Sequence, residues 1–147
     1  MVEFQTEREK WAWVAALIDG EGTLTLSRAG SPGLLHPCIR ITNTNLELLE
    51  EIKRHTGMKG IFYYRRRDHG RFGHKAQAFV EARGLRLVLS ILKNTLPFLI
   101  VKRWRAEVAV EYLESIVDWR GFIRDNGIEA YRRLNEEFLE KFRRIAP

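Results

Sequence analysis

Asp19 and Glu21, one glycine apart, close the apolar run WAWVAALI that spans Trp11 to Ile18. Carboxylates at this spacing offer hard oxygen ligands, the donors that Mg²⁺ prefers. They stand at the C-terminus of what reads as a helix, the end whose dipole disfavours negative charge. Either they cap backbone amides in the turn, or cations sit between them and a second acidic group. For Asp19 both readings stand; for Glu21 the cation is the better fit. His36, His55, His69 and His74 show no metal-ligand spacing, and the single Cys38 excludes a disulfide framework and a cysteine-based zinc cage.

The chain has 147 residues, with 25 Lys and Arg against 19 Asp and Glu, a net charge of +6. A pI near 9.8 points to a polyanionic partner, a solvated basic surface being the alternative. An apolar fraction of 45% fits one domain with one core. The longest clean apolar run, Ala12 to Ile18, is too short to span a bilayer, so no membrane partner is expected. The start MVEFQTEREK is charged where a secretory signal is apolar. The expected location is intracellular: cytoplasm and nucleoid, or an organelle matrix.

Thr6 followed by Glu9 reads as a capping box for a helix over Glu7–Asp19, broken by Gly20 and Gly22. T23LTLSR28 and P37CIRITN43 alternate with period two, as half-buried strands do; A29GSPG33 between them reads as a loop. Asn45 to Thr56 is a capped amphipathic helix closed by Gly57. Strands are predicted over Gly60–Arg67 and Lys75–Glu81, and helices over about Leu85–Lys93 and Val101–Asp118. A last helix, Gly127–Arg144, puts Ile128, Tyr131, Leu134, Phe138, Phe142 and Ile145 on one stripe. The order αββαββα with added C-terminal helices predicts an α+β fold, a four-stranded antiparallel sheet with its helices on one face. Residues 1–121 are the expected core domain and 122–147 a helical extension packed on it.

One strand parity collects Leu24, Leu26, Ile39, Ile41, Phe62, Tyr64, Ala76, Ala78 and Val80 as the core face. The other face is open: Thr23, Thr25 and Ser27, then Cys38, Arg40 and Thr42, then Tyr63, Arg65 and Arg67, then Lys75, Gln77 and Glu81. Arg28 and Arg83 at strand ends join the basic set. Phe79 falls on the open side, which a bulge in its strand would explain. From Ile61 to Lys75 five Arg or Lys stand against one Asp, interleaved with Tyr63, Tyr64 and Phe72. Such a face suits a nucleic-acid groove; a merely solvated face would more commonly carry Lys and Glu.

Burying Trp11, Trp13, Val14, Leu17 and Ile18 uses one side of the first helix and leaves Ala12, Ala15 and Ala16. Small residues let two helix backbones approach, so the expected cover is the same helix of a second copy, in an isologous contact. That contact brings two Asp-Gly-Glu ends together, Asp19 within the interface, and divalent ions would relieve their repulsion. Metal ions on a basic groove imply phosphodiester cleavage, with the ion lowering the pKa of water and stabilising the leaving oxygen.

The run V14AALIDGEG22 resembles the signature of the LAGLIDADG homing endonucleases, with glutamate where the last acid is more often aspartate. The likeness continues through ITNTNLELLEEIK after the second strand, GMKGIFY into the third, and LPFLIVK ending at Lys102, and covers roughly Glu7 to Ser115. It implies a saddle-shaped sheet lying on double-stranded DNA, a homodimer on a long, nearly palindromic site, and Mg²⁺, with Mn²⁺ or Ca²⁺ able to replace it in binding. It makes Glu21 the metal-binding carboxylate, the Gly20 carbonyl a backbone ligand, and Asp19 a mainly structural acid. Lys102 matches the basic residue near the scissile phosphate, its alternative being a salt bridge at the start of the last core helix. Asn43 matches a polar residue that orders active-site water, its alternative being the N-cap of the following helix. A second basic residue of the family has no counterpart, since Leu46 and Glu47 occupy its neighbourhood; Arg40 or Arg83 are the candidates to compensate.

The resemblance thus implies an intron-encoded homing endonuclease making a staggered double-strand break at the centre of its site. The competing expectation is a catalytically silent relative, an RNA-splicing maturase on intron RNA or a DNA-binding regulator. A monomeric basic adaptor is the third.

Overall fold

The computed structural model describes residues 1–28, 35–64 and 77–144. Thr6 stops the extended N-terminal segment: its hydroxyl accepts the Glu9 amide at 3.1 Å, while the Glu9 carboxylate accepts the Gln5 amide at 3.0 Å. Helix α1 (Glu7–Glu21) follows and runs two residues beyond the expected end. Gly22 then donates its amide to the Ile18 carbonyl. A Cβ on Gly22 would lie 2.8 Å from the Ile18 backbone, so glycine alone lets the chain pass directly from α1 into β1 (Gly22–Arg28).

The chain continues as β2 (Leu35–Asn43), α2 (Leu46–Thr56), β3 (Lys59–Tyr64), β4 (Gln77–Arg83) and α3 (Leu85–Thr95). A 3₁₀ turn (Leu96–Phe98), α4 (Arg103–Ser115), α5 (Trp119–Asn126) and α6 (Ile128–Arg144) complete it. The strands are antiparallel in the order β1-β2-β4-β3. This is the α+β arrangement that the sequence implies: αββαββα with helices added at the end. Leu24, Leu26, Ile39, Ile41, Ala78 and Val80 are buried on one sheet face, in one core with Val14 and Ile18 of α1, Leu49 and Ile52 of α2, and Ile91 and Leu92 of α3. No described helix is long and apolar enough to cross a membrane.

The third strand departs from its expected parity. Lys59 opposes Glu81 and Phe62 opposes Phe79, so β3 carries one extra residue between them. Gly60, at φ +68°, takes the backbone conformation that side chains resist and makes this bulge possible. Phe62, expected in the core, therefore lies on the open face, stacked on Phe79 at 5.1 Å between ring centres. The bulge is thus in β3, and Phe79 is on the open side because its partner ring is there. Tyr63, expected on the open face, opposes Ala78 on the helix-side parity and is 64% exposed on the edge strand. Arg65, Arg67, Lys75, Ala76, Ile145, the expected loops over 29–33 and 68–74, and the Tyr64 side chain lie outside what is described.

At the C-terminal end, Asp118 accepts the Gly121 amide at 3.1 Å and starts α5, a short helix that the apolar pattern does not announce. The expected division after residue 121 falls inside it. Tyr131, Leu139 and Phe142 of α6 bury in the same core, and the Tyr112 hydroxyl donates to Asn135 Oδ1 at 2.6 Å between α4 and α6.

Candidate nucleic-acid interface and carboxylate site

The two acids at the end of α1 have separate lives. Asp19 is tied to the segment that leads into α4: its Oδ2 accepts the Ile100 amide at 2.7 Å and its Oδ1 the Lys102 amide at 3.0 Å. The Lys102 ammonium returns to the same place and donates to the Asp19 carbonyl at 2.9 Å. A helix C-terminus leaves carbonyls without intrahelical partners, and a cation there is favoured by the dipole. Of the two readings of Asp19, the geometry is that of a cap across the chain. Lys102 thus binds the helix end, and no ion pair joins it to an acidic side chain among the described residues.

Glu21, by contrast, is exposed and makes no hydrogen bond or ion pair among the described residues. One free carboxylate beside the end-of-helix carbonyl of Gly20 is a hard-oxygen donor set, of the kind a divalent ion uses while keeping most of its waters. The residues fit such an ion, with the remaining ligands to come from water, phosphate or another carboxylate. Lys102 stands close by in the fold. It lines a hollow of about 210 Å³ with Thr23, Thr25, Val101 and Arg105, which places it beside the open side of β1. Burial holds its ammonium below the usual lysine range, the Asp19 charge working against this and Arg105 with it.

Asn43 is not the N-cap of α2. Its Oδ1 accepts the Asn45 amide at 2.8 Å in an Asx turn, and the N-cap of α2 is Asn45, whose own Oδ1 accepts the Leu48 amide at 3.1 Å. Asn43 shares the parity of Ile41, and no hydrogen bond among the described residues joins it to Glu21 or Lys102.

The outer side of α1 is narrower than expected. Val14, Ala15 and Ile18 are fully buried within the chain, so Ala15 is not available to a second copy. Ala16 and Gly20 are exposed and Ala12 is half-buried, leaving a small-residue stripe at four-residue spacing. A Cβ on Gly20 would meet nothing within 4 Å. Trp13 is covered by the N-terminal arm and α2, with Phe4 at 5.3 Å and His55 at 6.0 Å between ring centres. Next to this stripe, on the segment held by Asp19, Ile100 is 81% and Val101 60% exposed.

The open sheet face has legible rows. Thr42, Phe79 and Phe62 form one; Thr23, Arg40, Glu81 and Lys59 the next; Thr25, Cys38 and Arg83 a third; Ser27 and His36 a fourth. Thr25, Ser27, Arg40, Thr42, Gln77 and Arg83 are on the expected face. Arg28 is not: it has the core-face parity and reaches α6, where its Nε donates to Glu136 at 2.9 Å as part of an ion pair. Lys59 and His36 stand on the open face outside the expected set. Lys59 precedes the expected strand start at Gly60, whereas β3 begins with it. Pro37 obscures His36 by starting the visible alternation one residue later.

The sequence of residues 8–99 matches the family model of the LAGLIDADG-like domain. No curated protein matches the chain. Among solved structures, the archaeal intron-encoded homing endonuclease I-Vdi141I, complexed with DNA, is 22% identical with a TM-score of 0.64, over 92% of this chain and 86% of that one. The homing endonuclease I-CvuI, in complex with the I-CreI target in the presence of Mg, is 17% identical with a TM-score of 0.57, over 95% and 98%. The LAGLIDADG homing endonuclease I-GzeII, in complex with its DNA target, is 16% identical with a TM-score of 0.66, over 93% of this chain and 44% of that one. With the signature on α1, the open four-stranded sheet and this family match in agreement, the chain belongs to the LAGLIDADG-like domain family.

Proposed function

We propose that this protein is a Mg²⁺-dependent, sequence-specific DNA endonuclease that works as a homodimer on a long, nearly palindromic site. The observation that carries this reading is the division of labour at the end of α1. Asp19 is fully committed to holding the Lys102 segment, while Glu21 beside it is exposed and unpaired among the described residues. An acid with no partner among the described residues, at the junction of α1 and β1, has no evident structural use; as a metal ligand at a phosphodiester it has one.

The stripe Ala12, Ala16 and Gly20, bordered by Ile100 and Val101, supports the second copy as its cover, with Asp19 at the rim. The two Glu21 carboxylates then approach across the two-fold axis. When bound there, with Gly20 supplying a carbonyl, the ion would activate water and stabilise the leaving oxygen. Lys102 holds a positive charge near that point and stabilises charge developing on the phosphate. Asn43 has its amide nitrogen left to orient water, its oxygen being taken by the turn. Thr25, Ser27, Arg40, Thr42, Gln77 and Arg83, together with Arg65, Arg67 and Lys75, contact the DNA groove. Cleavage then falls across the centre of the site and leaves staggered ends. An intron-encoded origin and an intracellular location accord with such an activity.

The test is incubation of the protein with plasmid carrying the sequence flanking its own gene, joined as it would be without the insertion. Linear product with Mg²⁺, none after EDTA, and recovery on adding Mg²⁺ back are expected. Tight binding with no nicking in Mg²⁺ or Mn²⁺ would overturn the enzymatic reading, and preference for intron RNA over the duplex would favour a maturase.

A further inference from the structure

Glu81 is the one acid in the described rows of the open face, and it stands between two arginines. Arg40 donates from Nε and Nη2 to its Oε2, at 3.3 and 3.0 Å; Arg83 donates from Nε to its Oε1 at 2.7 Å. The Glu81 side chain is 11% exposed, the Arg83 side chain 68%. Arg40 is held a second time, its guanidinium carbon 4.1 Å from the centre of the Phe79 ring.

A carboxylate here repels phosphate, so a surface serving only to attract the DNA backbone gains nothing from it. Its effect is geometric. Arg83 is fixed through Nε, and both its terminal nitrogens remain unengaged among the described residues. Those two nitrogens form the planar fork that matches O6 and N7 of guanine in the major groove. We infer that Glu81 is a positioning residue for sequence readout, fixing Arg83 so that its fork reads a guanine, with the clamped Arg40 as the other wall of the bracket.

The inference rests on the open face being the DNA surface. Burial alone would raise the Glu81 pKa, but hydrogen bonds and charge from Arg83 and Arg40 outweigh it and hold the carboxyl below the usual glutamate range. The bracket is therefore charged near neutral pH. Cys38 borders it, its sulfur 3.7 Å from Glu81 Oε2, and burial followed by the Glu81 charge pushes the thiol up, keeping it protonated.

The probe is a duplex selected from randomised DNA by the wild-type protein with Ca²⁺ in place of Mg²⁺. Single base-pair variants of it are titrated with wild type, Glu81→Gln, Arg83→Lys and the double variant, each first checked by circular dichroism. Wild type is expected to prefer G·C at one position of each half-site by roughly tenfold or more. Glu81→Gln should cut that preference to about twofold while binding random duplex more tightly, with a steeper salt dependence, because one negative charge is gone. Arg83→Lys should lose the same preference, and the double variant no more than either. An undiminished preference in Glu81→Gln or in Arg83→Lys overturns the inference. So do additive losses, which would make Glu81 itself a base reader. Should Glu81→Gln not fold, Glu81→Asp takes its place, with the same expectation. If wild type selects no sequence, the DNA reading of the open face fails first and this inference with it.

Discussion

Asp19 and Glu21 differ by one glycine in sequence and wholly in role. Both Asp19 oxygens accept backbone amides, of Ile100 and Lys102, so this acid joins the end of α1 to the start of α4. Hydrogen bonds to a charged acceptor contribute more than neutral ones, and removing the acceptor leaves two amides short of a partner. Asp19→Ala is expected to destabilise the chain by about 1–3 kcal/mol in urea unfolding. It should also lower cleavage, because the backbone that carries Lys102 is no longer fixed. Stability equal to wild type would show that the segment is held by its apolar packing instead. Glu21, free of any such duty, is expected to tolerate substitution without loss of stability.

At the scale of elements, α1 serves two sides. Val14, Ala15 and Ile18 fill the core, and Ala12, Ala16 and Gly20 remain as a stripe with room beside it. Ala16→Glu places a charge on that stripe without touching the core. The variant should fold as wild type does, yet sediment as a single chain and bind its site far more weakly; a mass equal to wild type would remove α1 from the dimer contact. Much of this was legible in the residues. Period-two runs found β1, β2 and β4, the cap residues found α1 and α2, and the signature found the helix end. What escaped did so for physical reasons. Helical phase around α1 is set by where the core lies, so Ala15 read as free although it faces inward. Gly60 can mark a strand start or a bulge, and only the pairing of Phe62 with Phe79 decides between them. Arg28 keeps a basic side chain at a core-face position because Glu136 of α6, over a hundred residues away, comes to meet it. No local pattern carries such a contact.

The whole molecule separates its tasks by layer. Helices cover one face of the sheet and form the core, the other face presents threonine, serine, arginine and an aromatic pair, and the acidic end of α1 lies beside the first strand. A net charge of +6 draws a polyanion to the molecule as a whole, while on the proposed reading the paired arginines and the half-buried Glu81 between them in the described open face give it something to discriminate with. In this account the carboxylate at Glu21 separates holding DNA from cutting it. The most direct measurement is therefore binding and cleavage of one cognate duplex, side by side, by wild type and Glu21→Gln in Mg²⁺. Glu21→Gln is expected to bind within a few-fold of wild type and to cleave roughly a hundredfold more slowly or worse, the scale on which electrostatic groups at a reacting centre act. Cleavage by Glu21→Gln at the wild-type rate would contradict it.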